Sequence, residues 1–446
     1  MLTKTSRRKA VSTGIAIALL VVGLIVGAVI TYAVSPSGTT TTATNTATTT
    51  VTASGGSALS GTVNIGVLTD LSGQLSGIGL PIKIAVGLAI NDVNTYLQST
   101  GYTNLKFAAI YEDTGTNPAT ALTDLQTLSS DGVQAVVGPL SSSEASNILQ
   151  YADTNHIVLV SPSSTAISLA IPNDYLFRFV PNDAAQSYAI GRALVSQNVK
   201  DIVVVNQQSV YGTGLANATI VRFEALGGHA ETEIQYSSTA TDFTPTLSTM
   251  QSEYQSAVAK YGASSVAVVA IGFQEVGNML VQAKSLDPGL LAATWYGSDG
   301  ESQNTDFSNS TSAAAPISAQ VKLVSTIGES PAATAATNSF IAEFNATAHT
   351  TPVSYAINAY DAAWVIALSV LAANANNGQL IQKVFASVAN HYFGASGWTN
   401  LQASGDVAPV GYDLYEVQTL KGTTQWVLAG TYSSGTDSIT WQPGYP

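Results

Sequence analysis

In this 446-residue chain, the residues able to do chemistry gather where short apolar runs stop. Ser141, Ser142 and Ser143 close the run QAVVGPLSSS and open a helical pattern. Free backbone N–H groups and the helix dipole at such a place favour an anion, and a serine hydroxyl can donate to a carboxylate. Helix capping is the other use of the same residues, with Ser143 and nearby Glu144 as its natural pair. Ser163, Ser164 and Thr165 end the next run, HIVLVSPSST, as a second hydroxyl cluster or as turn residues. Asp299 ends a later one in YGSDGE, with Glu301 two residues on. A carboxylate turned into a cleft is costly unless paired, so Asp299 implies a cationic partner, or it is the ordinary turn residue before Gly300. Tyr211, in VYGTGL, stands at a helix start as a partly buried aromatic. Ile78 and Phe273 read as core by pattern, and as an apolar wall if they face a cleft.

Other chemistries find no support. There is no cysteine, which removes disulfides, thiolate metal sites and thiol catalysis. No G-x-S-x-G elbow, H-E-x-x-H helix or G-x-x-x-x-G-K loop occurs. His156, His229, His349 and His391 lie far apart, so no metal site is expected. The stretch GQLSGIG lacks the dinucleotide-binding glycine spacing, so neither a cofactor nor an enzyme is expected. Net charge is −13, and Lys4, Arg7, Arg8 and Lys9 supply four of the positive charges, leaving −17 for the rest. Phosphate binding needs a basic surface, so nucleic acid is excluded as a partner. Hydrophobic residues at 46% indicate a folded chain, while only 10% charged residues leave its exterior to Ser, Thr, Asn and Gln. Such an exterior suits an acidic habitat.

The elements that must position these residues alternate strand and helix, which predicts parallel sheets covered by helices. Strand-like runs at Val63–Leu68, Leu105–Tyr111, Gln134–Val137 and Ile157–Val160 make a first set. Runs at Ile202–Val205, Ala230–Tyr236, Val266–Ile271 and Ala292–Tyr296 make a second. Between them Val86, Ile90, Val93 and Leu97 share one helical face, with Pro81 near its start and Gly101 beyond its end. The sets part near FRFVPNDAAQS, and after Val321–Ile327 come long helices over 333–346 and 355–373, then GYDLYEVQ and WVLAGTY as late strands. The reading is α/β, with two Rossmann-like lobes, parallel central sheets and a hinge crossed more than once. Lobe 1 takes residues 62–182 and 328–408; lobe 2 takes 183–327 and 409–446. Ligands of open α/β sheets sit outside the carboxyl ends of the strands, where the polar clusters lie.

Residues 1–34 carry a basic start and an apolar run from Gly14 to Val34, about 30 Å long as a helix and enough to span a bilayer. Basic residues before the run predict an inside amino terminus and a folded part on the extracellular face. The segment RRKAVSTGIAIALLVVGLIVG resembles the class III, type IV pilin-like signals of archaeal surface proteins, cut between Ala10 and Val11. An uncleaved anchor and a removed secretory signal are the other two readings. Residues 35–61, rich in Thr, Ser and Gly, form a flexible linker.

From about Val63 onward the chain resembles the type I periplasmic-binding-protein family, and within it the branched-chain amino acid (leucine/isoleucine/valine) binding proteins of ABC importers. The segments that carry this are VNIGVLTDLSGQLSGIG, YEDTGTNPATA, DGVQAVVGPLSSSEA, SPSST, FRFVPND, VYGTGL and GFQEVGNMLVQAK. The resemblance implies that Ser142 grips a ligand carboxylate. It further implies that Ser164 and Thr165 give a backbone carbonyl and a hydroxyl to an amino acid head group, and that Tyr211 closes over the ligand. Asp299 matches a position where the family more often has Glu, a partner for the ammonium, with Glu301 as fallback. Ile78 and Phe273 match the walls of the side-chain pocket. The expected partners are a small amino acid or related solute, an ABC permease, and the membrane through the amino-terminal helix. A ligand-sensing ectodomain and a structural, pilus-like surface protein are the rival readings.

Overall fold

The computed structural model describes residues 59–230 and 233–445. The apolar amino-terminal run, the cleavage position at Ala10 and Val11, and most of the linker lie outside the described residues.

Strands β1 (Gly61–Thr69), β2 (Leu105–Asp113), β3 (Ala135–Val137), β4 (Val158–Ser161) and β5 (Leu176–Arg178) form an all-parallel sheet in the order β2-β1-β3-β4-β5. Strands β3, β4 and β5 are buried at every residue, as required when helices cover both faces. On one face the helices Ser76–Ser99 and Ser354–Ala373 pack against each other, and on the other lie Pro118–Ser130 and Ser142–Asn155. Both helices of the first pair are long and apolar enough to cross a membrane, yet they are core helices here, half or more buried. Val86, Ile90, Val93 and Leu97 are all buried, as their spacing predicts. Pro81 lies inside this helix, because Ser76 rather than the proline starts it.

The second sheet contains β6 (Asp201–Gln208), β7 (His229–Ala230), β8 (Ile234–Ser237), β9 (Val266–Ile271), β10 (Thr294–Gly297) and β11 (Val324–Gly328). A short hairpin of β12 (Phe393–Gly394) and β13 (Gly397–Trp398) stands apart. The second sheet then gains β14 (Gly411–Leu420), β15 (Thr423–Ser433) and β16 (Ser438–Trp441), giving the order β16-β15-β14-β11-β10-β9-β6-β7, with β8 also on β6. The expectation of parallel strands holds for β6, β9, β10 and β11 and is corrected for the last three, which are antiparallel. Only Lys421 and Gly422 separate β14 from β15, both with positive φ (52° and 82°). Such a two-residue primed turn can only reverse the chain. The single strand expected over Ala230–Tyr236 is two short strands, each paired to β6.

The chain passes between the two layers three times: after β5, after β11 and before β14. Arg178 of β5 and Asp406 of the third passage form an ion pair at 2.6 Å, with side-chain exposures of 0% and 1%. Asn182, on the first passage, donates to the other Asp406 oxygen at 2.9 Å. The first and third passages are thereby pinned together behind the cleft.

Candidate functional site

One wall is built on the carboxyl ends of β3 and β4. Ser141 caps the helix Ser142–Asn155: its Oγ accepts from Glu144 N at 3.2 Å, and Glu144 Oε2 accepts from Ser141 N at 3.0 Å. This corrects the expected pairing of Ser143 with Glu144; the spacing S-x-x-E, a capping box, assigns the cap to Ser141. Ser142 is left for another task. Its Oγ accepts from Thr165 N and Ala166 N, both at 3.1 Å, so its lone pairs are engaged and its proton is available to donate. Ser163 donates to Leu140 O at 2.9 Å, and Ser161 donates to Pro139 O at 2.6 Å, stitching the two strand-end loops together. Ser164 does not line the cleft. Its carbonyl accepts from Arg178 Nη1 at 3.2 Å, and Ala166 O accepts from the same nitrogen at 2.8 Å.

The opposite wall rises from β6, β9 and β10. Ser209 caps the helix Val210–Ala225, which sets Tyr211 in its first turn with its ring parallel to Phe273 at 5.3 Å between centroids. Tyr211 Oη lies 2.7 Å from Asp299 Oδ1 and 2.7 Å from Ser298 Oγ. Asp299 Oδ2 accepts from Tyr355 Oη at 2.5 Å, and Tyr355 belongs to the helix Ser354–Ala373 of the first layer. Glu301 stands behind this wall, fully buried, accepting from Gly272 N and Ser298 N at 2.7 Å each. Its place as fallback ammonium partner is therefore corrected: it faces the Asp299 turn, not the cavity. Burial raises the Asp299 carboxyl above its usual range, against the lowering effect of the Tyr355 and Tyr211 hydrogen bonds. Burial pushes Glu301 up to about 8 in spite of its Ser298 and Gly272 donors. Between Asp299 and Gly300 the chain turns so tightly that a Cβ on Gly300 would meet Gly272 O at 2.0 Å.

Ile78, Ser142, Thr165, Tyr211, Phe273 and Asp299 all line one cavity, together with Leu75, Leu140 and Tyr355. The space between these walls amounts to about 350 Å³, counting the solvent at its mouth. Two further residues were not legible in the sequence. Tyr355 opens a long apolar helix, and nothing in PVSYAINAY marks it as polar-facing. Asp183 reads as the last residue of a Pro-Asn-Asp turn, yet it is fully buried. Burial and the Asp299 charge raise its carboxyl, opposed by the Thr165 hydroxyl and Arg178.

The profile of the periplasmic binding protein family matches residues 62–389. An uncharacterized protein of Methanocaldococcus jannaschii is 30% identical over 398 residues, spanning 85% of this chain and 92% of its own length. The Leu/Ile/Val-binding protein homolog 3 of Brucella melitensis is 24% identical over 254 residues, 56% of this chain and 64% of its own. A leucine binding protein of Thermotoga maritima has the same fold, with a TM-score of 0.70 at 20% identity, covering 84% of this chain and 99% of that protein.

Proposed function

Because the chain belongs to the periplasmic binding protein family, we propose that it is the extracytoplasmic solute-binding component of an ABC importer. Its ligand is a small amino acid with an apolar, branched-chain type side chain, or a similar amide or carboxylate, held between lobes 62–182 with 328–408 and 183–327 with 409–446. The observation that carries this reading is the pairing across one cavity of a donor-only hydroxyl, Ser142, with a carboxylate, Asp299. Ser142 and Thr165 hold the ligand carboxylate, and Asp299 takes the ammonium. Tyr211 closes over the head group; Ile78 and Phe273 meet the side chain. Ser164 acts through the Arg178 contact that fixes the loop. Closure shifts the open–closed population, and a membrane permease reads the closed form. The amino-terminal apolar run tethers the protein to the outer face of the membrane.

A thermal-shift screen of the full chain against amino acids, amides and small carboxylates tests this, since a ligand that binds only the folded state raises its stability by mass action. A branched-chain amino acid is expected to raise the melting temperature, and Ser142→Ala with Asp299→Ala to abolish the shift. A screen without a shift, or a shift untouched by the double variant, removes the assignment.

A further inference from the structure

A second cavity lies at the hinge. All three passages between the layers line it, through residues 179–181, 327–331 and 407–411, together with the start of the helix Ser354–Ala373 and with Trp398 and Thr399. The space between these walls amounts to about 800 Å³, counting the solvent at its mouth, against about 350 Å³ for the cleft. Tyr355, whose hydroxyl is spent on Asp299, is the one residue that lines both. Phe179 and Trp398 give the hinge cavity aromatic surface, and Val180, Ile327 and Pro331 aliphatic surface. Trp398 is 54% exposed, with the Phe393 ring edge-on to it at 5.2 Å between centroids. Of the polar lining, Ser396 Oγ donates to Asp361 Oδ2 at 2.5 Å and Asn358 Nδ2 to Pro162 O at 3.2 Å. Thr399 differs: it is 2% exposed, yet its hydroxyl has no hydrogen-bond partner among the described residues. Glu329 is the one charged residue of the lining. Its carboxylate lies over the third passage, where a Cβ on Gly411 would meet Oε2 at 2.6 Å. Burial and the Asp413 charge raise this carboxyl, so two acids stand together here.

We propose that the hinge cavity is a second solute site, for a small monoamine that carries an aromatic or branched apolar group. The ammonium meets Glu329, whose charge no Lys, Arg or His of the lining offsets. A buried hydroxyl without a partner is costly, and a solute N–H supplies one to Thr399. The apolar group lies against Phe179 and Trp398, where an aromatic face also attracts the cation. A carboxylate is refused, because it would approach Glu329 and Asp413 with no cation in the lining to receive it. The cleft differs on this point, since Ser142 faces a carboxylate there. The hinge site therefore goes beyond the amino acid reading and stands independently of it: the two cavities have only Tyr355 in common.

2-Phenylethylamine, 2-phenylethanol and 3-phenylpropanoate share a phenylethyl group and differ in the charge at its end, which makes them the probes. Their binding to the full chain in detergent is measured by calorimetry near about pH 7, where the amine is a cation. The amine is expected to bind with a dissociation constant of about 1 mM or below, at least about threefold tighter than the alcohol and about tenfold tighter than the acid. Glu329→Gln is expected to bring amine and alcohol within about twofold of each other. Trp398→Ala is expected to weaken both by about threefold or more. The ranking of the three probes needs no variant, so a misfolded variant leaves the test intact. Because the cleft has an acid of its own, Asp299→Ala is measured beside them. Amine binding lost in Asp299→Ala and kept in Glu329→Gln places the amine in the cleft and overturns the hinge site. No amine binding up to about 10 mM, or equal affinity for all three probes, overturns it too and leaves the amino acid reading standing. Amine binding that depends on Glu329, in a chain that no amino acid stabilises, supports the hinge site and removes only the amino acid reading.

Discussion

The two walls of the cleft are both polar but differ in where their hydrogen bonds go. On the first, Ser141, Ser161, Ser163 and Ser142 bond to backbone atoms or to the helix cap, so each hydroxyl has a fixed direction. On the second, Asp299, Tyr211, Ser298 and Glu301 bond mainly to one another. A wall anchored to the backbone fixes each hydroxyl separately, whereas in a wall of mutually bonded side chains the loss of one member disturbs the others.

The sharpest way to break the contrast is to loosen the first wall from behind. Asp406→Ala leaves the Arg178 guanidinium buried without its counter-ion and is expected to cost about 3–5 kcal/mol in urea denaturation. A loss below about 1 kcal/mol would mean that this pair does not hold the Ser164–Ala166 loop. Next come the two groups proposed to grip the ligand. Asp299→Ala is expected to weaken leucine binding about hundredfold and Ser142→Ala about tenfold, a gap of about 1.4 kcal/mol that calorimetry resolves. Equal losses would erase the distinction between the walls.

A third prediction separates the walls by pH. Glu301 is raised to about 8, Asp174 to about 7 and Asp361 to about 6, chiefly by burial. Behind the first wall, burial and the Glu144 charge raise Asp70 too. A carboxyl whose folded pKa exceeds its unfolded one binds its proton more tightly when folded. Its stabilising contribution is thus complete below about pH 4 and is lost as pH rises through the folded value. Melting temperature should therefore decline from about pH 5 to pH 8.5. Glu301→Gln should flatten the upper part of that decline and Asp174→Asn the middle. A melting temperature that climbs over this range contradicts the assignment.

The smallest effect concerns closure. Gln74, before the first helix, donates across the cleft mouth to Ser238 O at 2.8 Å and accepts from Gln207 Nε2 at 3.1 Å. Gln74→Ala removes both contacts, each worth about 0.5–1.5 kcal/mol net, and should speed leucine release several-fold in stopped flow while barely moving the melting temperature. An unchanged release rate would show that the walls, not the mouth, hold the closed form.

Much of the fold was legible because its signals are local. The helical face of Val86, Ile90, Val93 and Leu97 and the β-branched runs of β3, β4 and β9 are set by neighbours a few residues apart, and they appear where periodicity puts them. The antiparallel end of the second sheet turns on Lys421-Gly422, a pair without the Asn or Asp that marks such a hairpin in sequence. For the cleft, the strand ends marked Ser142, Thr165 and Asp299, while the family resemblance supplied Ile78, Tyr211 and Phe273, and all six line the cavity. The cap expected at Ser143 lies at Ser141, where the S-x-x-E spacing begins.

What sequence alone determined, then, is which residue types end each strand, since chain punctuation and hydrophobic period are written in consecutive residues. Tertiary structure decided what those residues touch. Tyr355 meets Asp299 from 56 positions away, and Arg178 meets Asp406 across 228. Glu301 differs from Asp299 not in its surroundings along the chain but in the side of the wall it occupies. Charge and hydrogen bonding depend on distance in space and on the loss of water around each acid, and neither is encoded at a fixed spacing in the chain.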